Sequence, residues 1–203
     1  AACQIHLDIQ PCRRNGNGSL MRILPLVPYI INMEEEDRFR IIGEVSSLTH
    51  RHPRSILACI FLCKFAIQYL ATKEIPTAFA YTQKEIKYLL TQEKFKNECS
   101  HFDRLVNLTY EQFRNIAKND IKSTGYVIDT LEASLWSVFN HDSFKDSVLC
   151  AVNLGYDADT VGAITGALAG IIYGHDSIPE EWLNVLARKE DIIELANKLD
   201  SVY

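Results

Sequence analysis

The stretch that decides the fold reads Asn153-Leu-Gly-Tyr-Asp-Ala-Asp-Thr160-Val-Gly-Ala-Ile-Thr-Gly-Ala-Leu-Ala-Gly170-Ile-Ile-Tyr-Gly174. In it, the polar side chains of Asp157, Asp159 and Thr160 stand directly before glycines that recur at every fourth position. A helix returns to the same face every three to four residues, so these glycines would form a flat groove that another backbone can approach closely. Because glycine inside a helix costs about 1 kcal/mol relative to alanine, such a helix needs compensating packing. The pattern therefore predicts a polar turn followed by a buried, tightly packed helix.

The polar residues at the front of this helix have two interpretations. A helix N-terminus is electropositive, so Asp157 could cap the helix and Asp159 could lie in its first turn without any further role. Together with Thr160, however, they offer only oxygen ligands, which suit a hard cation such as Mg²⁺, Mn²⁺ or Ca²⁺. Three ligands do not complete an octahedral shell, so such a metal would need further ligands from elsewhere in the protein or from water. Spacing alone leaves both interpretations open.

The composition is that of one globular domain spanning residues 1–203, because 47% of the residues are apolar and can form a substantial core. A net charge of −5 gives no electrostatic reason to expect a nucleic acid partner. The longest apolar run, from Ile56 to Leu70, contains Lys64 and Gln68, which argues against a membrane span. The six cysteines form no C-x-x-C pair, and the first residues lack the apolar core of a signal peptide. We therefore expect a reduced, cytoplasmic protein.

Helical periodicity runs through most of the chain, and no run of alternating residues is long enough to predict a sheet. Pro53 suits a first helical turn, and residues 55–71 are apolar on most faces, which predicts a central, buried helix. Charged residues dominate 91–119, which predicts peripheral helices there. The other predicted helices cover 37–48, 77–90 with Thr77 as cap, 126–139, 143–155 with a capping box from Ser143, a segment opened by Pro179, and 190–199. The chain is thus predicted to be all-α.

Two further polar clusters could contact a ligand. The first, Asn15-Gly-Asn-Gly-Ser-Leu-Met-Arg22, alternates residues that favour positive φ and expose backbone N–H groups, which can cradle phosphate or ribose oxygens. Arg22 could add charge to such a loop, although an ordinary turn before a buried segment explains the same residues. The second, Thr49-His-Arg-His-Pro53, lies between two predicted helices. Its His50 or His52 could contact a ligand or could be an exposed or capping histidine.

Taken together, the motifs resemble the ADP-ribosylglycohydrolase family, which includes the dinitrogenase-reductase-activating glycohydrolase. Their order and approximate spacing match as well. The matching stretches cover most of the chain from Asn15 to about Leu186. They are Gly16-Asn-Gly-Ser-Leu-Met-Arg22 with Pro25-Leu26, Thr49-His50 with Pro53, Gly125-Tyr-Val-Ile-Asp-Thr-Leu131, Leu154-Gly-Tyr-Asp-Ala-Asp-Thr160, and Gly166-Ala-Leu-Ala-Gly170 with Tyr173-Gly174.

The resemblance implies a compact, multi-helix, all-α domain around a binuclear centre of Mg²⁺ or Mn²⁺. It also implies a hydrolase that cleaves the glycosidic bond between ADP-ribose and a protein side chain or related acceptor. The partner would then be an ADP-ribosylated protein or a small molecule that contains ADP-ribose. By motif match, the metal ligands would be Asp157, Asp159 and Thr160. The residues near the ADP-ribose would be Gly18, Ser19 and Arg22 in the loop, with His50 lining the same cleft.

The chain departs from the family pattern near its start. The family carries a Gly-Asp motif and then a Thr-Asp-Asp motif, which supplies the other half of the metal shell, and neither is found here. The nearest acid before the loop is Asp8, in no matching context. We therefore expect the chain to begin after both motifs and to lack the family's N-terminal helices and catalytic residues. Tyr156 and Ala158 also replace the Gly and Thr that family members often carry.

Two functions are consistent with these departures. The first is a metal-dependent ADP-ribosylglycohydrolase that, as this chain, binds metal weakly and hydrolyses little or nothing. The alternative is a non-catalytic relative with a structural or ligand-holding role, as in the J-type lens crystallins. Missing helices would also leave apolar surface uncovered around residues 55–71 and on the glycine face of 161–174, so we expect a self-associated or conformationally loosened state.

Overall fold

The computed structural model describes residues 15–201, in which every regular element is helical. This confirms the predicted all-α fold, while Cys3, Asp8 and Cys12 lie outside the described residues. Short 3₁₀ helices cover Leu20–Arg22, Leu24–Leu26, Lys96–His101, Lys118–Asp120 and His175–Ser177. The α-helices of the described residues are α1 (Val27–Ile30), α2 (Glu35–Ser47), α3 (Pro53–Thr72), α4 (Ile75–Leu90), α5 (Asp103–Asn107), α6 (Tyr110–Arg114), α7 (Val127–Phe139), α8 (Phe144–Val152), α9 (Ala158–Tyr173), α10 (Glu180–Val185) and α11 (Lys189–Asp200).

Helix α3 forms the centre of the core, as its apolar composition predicts. Pro53 occupies its first turn, and the His52 side chain caps it by accepting a hydrogen bond from the Arg54 backbone N–H. The helix packs against α2, α4 and α7, and its one buried lysine, Lys64, forms an ion pair with Glu85 of α4. By length and composition alone α3 could cross a membrane, but most of it is buried within the protein, as in the core helix of a globular domain.

The charged segment between α4 and α7 contributes more to the core than predicted. Most of its polar residues are exposed, but Phe95, Phe102 and Phe113 are buried. The Phe113 ring of α6 lies 5.5 Å from the Phe79 ring of α4, which in turn lies 5.2 Å from the Phe139 ring of α7, measured between centroids. The segment is mostly exposed, as expected for peripheral helices, but its high charge content conceals a few widely spaced aromatic side chains that anchor it in the core.

Helix α9 packs against α7 and α8, but its glycine face meets α8 over only part of its length. A Cβ atom on Gly162 would lie 2.9 Å from Val152 Cγ1 of α8, whereas a Cβ on Gly170 would meet nothing within 4 Å. Gly174 ends the helix with φ 82°, a conformation that favours glycine. The predicted close approach therefore occurs at the N-terminal half of α9, where the polar turn also lies.

Several predicted boundaries need correction. Helix α4 begins at Ile75, so Thr77 lies inside its first turn, where its hydroxyl donates to the Glu74 carboxylate instead of capping the helix. Helix α8 ends before Gly155, at Val152. The cap at Ser143 is confirmed, because its hydroxyl accepts from the Asp146 backbone N–H over 3.0 Å.

The prediction that residues 55–71 present uncovered apolar surface was wrong. Helices α2, α4 and α7 cover α3, and its side chains from Ile56 to Ile67 are buried. The larger exposed apolar side chains near the end of the described chain lie on and between α10 and α11. They are Val185, Leu186, Ile192 and Leu195. Self-association stays a prediction.

Candidate functional site

The candidate site lies where segments far apart in the sequence meet. Residues 15–22, here called the glycine loop, are joined by backbone hydrogen bonds to the turn before α7. The Val127 N–H donates to the Asn15 carbonyl over 2.9 Å, and the Asn17 N–H donates to the Gly125 carbonyl over 3.2 Å. The glycine loop is therefore fixed to the start of α7.

Asp157 lies at the N-cap position of α9, but its side chain does not cap the helix. The Asn17 amide donates to Asp157 Oδ2 over 2.5 Å, although the two residues are 140 positions apart, and the Thr160 hydroxyl donates to Oδ1 over 3.2 Å. The Asp157 backbone N–H donates to the Ser123 carbonyl over 3.0 Å, which ties the turn before α9 to the turn before α7. Helix capping therefore does not explain this carboxylate.

Asn17 connects the glycine loop to both α7 and α9. It is buried, and its amide donates to Thr130 Oγ1 over 2.8 Å as well as to Asp157. Thr130 in turn donates to the Thr124 carbonyl over 2.9 Å. Because leaving a buried polar group unpaired costs roughly 1–3 kcal/mol, this network fixes the directions of its members. Asn17 thereby orients the Asp157 carboxylate.

The three predicted metal ligands lie in or directly before the first turn of α9. Asp157 is half-buried, Thr160 is buried and Asp159 is exposed. Their donors are carboxylate and hydroxyl oxygens, the type that Mg²⁺ and Mn²⁺ take in proteins, so the residues fit the metal that the resemblance implies. Among residues 15–201, no group of three or more His, Cys, Asp or Glu side chains converges to hold a metal. The described residues by themselves thus do not form a complete metal site.

The His50 ring packs against the glycine loop. A Cβ on Gly18 would lie 2.8 Å from His50 Cε1, and a Cβ on Gly16 would lie 3.3 Å from His50 Nε2. Neither glycine adopts a positive φ, so the predicted reason for glycine here was wrong: the loop needs space for the ring. Burial lowers the pKa of His50, and the positive charge of Arg22 lowers it further, which favours the neutral imidazole at pH 7.

The side chains of two other predicted substrate-binding residues are engaged within the protein. The Arg22 guanidinium donates to the Gly18 carbonyl over 3.2 Å, to the Thr49 hydroxyl over 2.9 Å and to a carbonyl of α2 over 3.2 Å. The Ser19 hydroxyl is buried and accepts from the Cys59 thiol at 3.5 Å. Arg22 therefore braces the glycine loop against α2, and the Ser19 side chain faces α3.

A cluster of aromatic and charged residues borders the glycine loop at the start of α7. The Arg54 guanidinium lies 5.7 Å from the centre of the Tyr126 ring and donates to the Glu98 carboxylate over 2.7 Å. The Tyr126 hydroxyl lies 3.2 Å from His101 Nδ1. Tyr126 also lines a cavity of about 350 Å³, in which burial raises the pKa of Glu132 to about 7. Tyr126 is thus shared by the site and this cavity.

Tyr156, next to Asp157, has a backbone conformation that is unusual for its residue type. Its φ is 52°, in the left-handed region, and its side chain is 92% exposed. A non-glycine residue in this region pays about 1–2 kcal/mol. The turn that positions Asp157 therefore suits the glycine that family members often carry here, and Tyr156 is accommodated at a cost.

Sequence reasoning gave no role to Asn17, Thr49, Ser123 or Thr130. Asn17 and Thr49 stand inside the motifs that predicted the loop and His50, and this was the signal available for them. Thr130 stands inside the matching stretch 125–131, but nothing there pointed to a role for its hydroxyl, and nothing marked Ser123. A short polar side chain before or inside a helix has many ordinary explanations. Their partners become visible only when the chain is folded.

Comparison with known proteins agrees with these features. The family model for ADP-ribosylglycohydrolase matches residues 4–203. The chain belongs to the ADP-ribosylglycohydrolase family. This confirms the resemblance that was carried by the glycine loop, His50 and the Asp157 turn.

Individual family members share between a quarter and two fifths of their aligned residues with this chain. The ADP-ribosylarginine hydrolase Tri1 of Serratia proteamaculans is 37% identical over 91% of this chain and 46% of its own length. The ADP-ribosyl-[dinitrogen reductase] glycohydrolase of Rhodospirillum rubrum is 28% identical over 92% of this chain and 55% of its own. A solved structure of an ADP-ribosylglycohydrolase-related protein complex is 28% identical, with a TM-score of 0.74 over 92% of this chain and 60% of that one. The chain spans about half the length of these curated relatives.

Proposed function

We propose that this chain is part of an ADP-ribosylglycohydrolase that releases ADP-ribose from an arginine side chain of a modified protein. Membership of the family supports ADP-ribose as the group that is released. The arginine linkage is supported by two similar hydrolases named for ADP-ribosylarginine, from Serratia proteamaculans and Pseudomonas putida. The similarity to the Rhodospirillum rubrum enzyme supports a protein as the carrier of the ADP-ribose.

The observation that carries this proposal is the position of the Asp157 carboxylate. A carboxylate that only caps a helix bonds the free N–H groups of the first turn. Asp157 instead takes its side-chain hydrogen bonds from Asn17 and Thr160 and lies beside the glycine loop. A carboxylate held in this way beside the glycine loop could serve a metal and a ribose together.

The proposal includes a metal at the front of α9. Asp157, Asp159 and Thr160 would hold part of a binuclear Mg²⁺ or Mn²⁺ centre, which supplies Lewis acidity at the ribose hydroxyls when bound. Three oxygen ligands leave a divalent ion mostly hydrated, so weak metal binding and little hydrolysis by residues 1–203 alone are part of the proposal. The remaining ligands and the catalytic carboxylate are assigned to the part of the relatives that this chain does not span.

The chain's own residues bind and orient the substrate in this scheme. Gly16 and Gly18 leave room for the His50 ring. Loop N–H groups other than that of Asn17, which already donates to the Gly125 carbonyl, would meet phosphate or ribose oxygens. Arg22 holds the loop in shape, and Asn17 holds Asp157. As the acceptor departs, positive charge develops on the ribose, and the half-buried Asp157 carboxylate would stabilise it.

Release of ADP-ribose from an ADP-ribosylated arginine peptide by the full-length gene product, in the presence of Mn²⁺, tests the proposal. Asp157→Asn keeps the shape of the side chain and removes its charge. We expect the rate to fall roughly 100-fold or more, because both metal and ribose lose a charged partner. The matched control is Asp146→Asn, since Asp146 is exposed and lies in the first turn of α8.

We expect the Asp146→Asn rate to equal that of the unchanged protein. An Asp157→Asn protein that stays folded and releases ADP-ribose at the full rate would overturn the proposal. Binding of ADP-ribose without any release by the unchanged protein would also overturn it, and would favour the ligand-holding alternative.

A further inference from the structure

Hydrogen bonds join the side chains of Arg22, Thr49 and His50 in a continuous series behind the glycine loop. The Arg22 guanidinium donates to Thr49 Oγ1 over 2.9 Å, and Thr49 Oγ1 lies 2.8 Å from His50 Nδ1. The His50 ring then meets the glycine loop through its opposite edge, with Nε2 against Gly16 and Cε1 against Gly18. The series therefore connects the Arg22 guanidinium, through the Thr49 hydroxyl, to the His50 ring that borders the loop.

The donors and acceptors in this series of hydrogen bonds can be assigned. Arginine only donates, so Thr49 Oγ1 must accept from Arg22. The Thr49 hydroxyl proton is then available for His50 Nδ1, which serves as the acceptor. In the opposite arrangement, Nδ1–H would point at an oxygen that already accepts from a cation, and its positive end would face Arg22. The electrostatic interaction with Arg22 favours a lone pair on Nδ1 over a proton.

We propose that Thr49 is a positioning residue that holds the His50 imidazole in the tautomer whose proton is on Nε2. The ring then presents an N–H donor to the glycine loop. No hydrogen-bond partner for Nε2 is found among residues 15–201. If the proposed function holds, that donor meets an oxygen of ADP-ribose bound in the loop, whereas the tautomer itself does not depend on the proposed function.

The state of the ring supports the inference. Burial and the charge of Arg22 both lower the pKa of His50, which favours the neutral ring at pH 7. A neutral ring carries its proton on either Nδ1 or Nε2. A neutral ring without a fixed partner would populate both tautomers. Thr49 favours one of them by giving its only proton to Nδ1, because Arg22 already donates to one of the two lone pairs of the Thr49 oxygen and its charge disfavours a second N–H there.

Nitrogen NMR of the ligand-free chain at pH 7 tests the tautomer directly, since protonated and unprotonated ring nitrogens have well-separated shifts. His50→Gln assigns the signals. We expect Nε2 to carry the proton in the unchanged chain and in Thr49→Ser, which keeps the hydroxyl. Thr49→Val should give a mixture of tautomers or the opposite one. Thr77→Val, on α4, is the matched control and should leave the His50 signals unchanged.

A proton on Nδ1 in the unchanged chain would overturn the inference, as would a Thr49→Val spectrum identical to that of the unchanged chain. The unchanged chain and Thr49→Ser decide the question even if Thr49→Val does not fold.

Calorimetry with ADP-ribose and the full-length gene product tests the use of the donor. Loss of one oriented hydrogen bond to a charged or polar oxygen predicts about tenfold weaker binding for Thr49→Val and an affinity within about twofold of the unchanged protein for Thr49→Ser. Equal loss in both variants would contradict the positioning role. If the unchanged protein does not bind ADP-ribose, the proposed function and the use of the donor both fail, while the NMR result still decides the tautomer.

Discussion

Gly16 and Gly18, in the loop before α1, lie against the His50 ring, whereas Gly162 and Gly170 lie along one face of α9. In the loop, a Cβ on Gly18 would come within 2.8 Å of His50. On α9, a Cβ on Gly162 would come within 2.9 Å of a valine of α8, and a Cβ on Gly170 would meet nothing within 4 Å. The same residue type thus leaves room for the His50 ring beside the glycine loop and for α8 beside Gly162, while at Gly170 no described neighbour needs the space.

The largest effect is expected from Gly18→Ala, because the added methyl group collides with a ring that borders the loop. We expect a loss of about 1–3 kcal/mol in the free energy of unfolding, measured with urea, and at least roughly tenfold weaker binding of ADP-ribose. His50→Ala is the partner substitution in a double-mutant cycle. The destabilisation by Gly18→Ala should largely disappear in the His50→Ala background. A destabilisation that persists there would show that the added methyl group does not act through the His50 ring.

Gly162→Ala should have a smaller effect on stability and none on ADP-ribose affinity. The methyl group crowds Val152, but alanine favours the helix, so we expect a net loss of about 1 kcal/mol. Val152→Ala removes the crowding atom, and in that background Gly162→Ala should become neutral or stabilising. Weaker ADP-ribose binding by Gly162→Ala would contradict the expected difference between the two glycine segments.

Gly170→Ala should have the opposite sign. With no atom within 4 Å of the added Cβ, the gain in helix propensity acts alone, so the free energy of unfolding should rise by about 0.5–1 kcal/mol. Urea denaturation of this single variant beside Gly162→Ala checks it. A destabilised Gly170→Ala would show that this end of α9 meets a partner that residues 15–201 do not provide.

The two segments also differ in how far sequence could predict them. Helical periodicity and the four-residue glycine spacing located α9, because both are local properties of the chain. They could not show that Gly162 alone is crowded, since that depends on where α8 crosses. For the loop, alternating Asn and Gly predicted positive φ. The loop needs glycine instead because the ring of His50, from the segment between α2 and α3, packs against it. Local patterns located both segments but did not show which neighbour makes glycine necessary.

The same limit applies to the polar residues of the site. The motifs brought Asp157, Gly18 and His50 to attention, and the structure places Gly18 and His50 in contact. The motifs could not show that the Ser19 side chain faces Cys59, or that Asn17 donates a hydrogen bond to a carboxylate 140 positions away. Such pairs follow from the packing of α3, α7 and α9 together. Without the fold, helix capping remained the ordinary explanation of Asp157.

The central claim is that the glycine loop and the front of α9 form one ligand site through the Asn17–Asp157 hydrogen bond. Calorimetric titration of the full-length gene product with Mn²⁺, alone and with ADP-ribose, tests it most directly. Residues that orient a metal ligand typically affect metal affinity by about 10–100-fold, so Asn17→Ala should weaken Mn²⁺ binding by at least about tenfold and weaken ADP-ribose binding as well. A folded Asn17→Ala protein that binds both ligands as tightly as the unchanged protein would contradict the account.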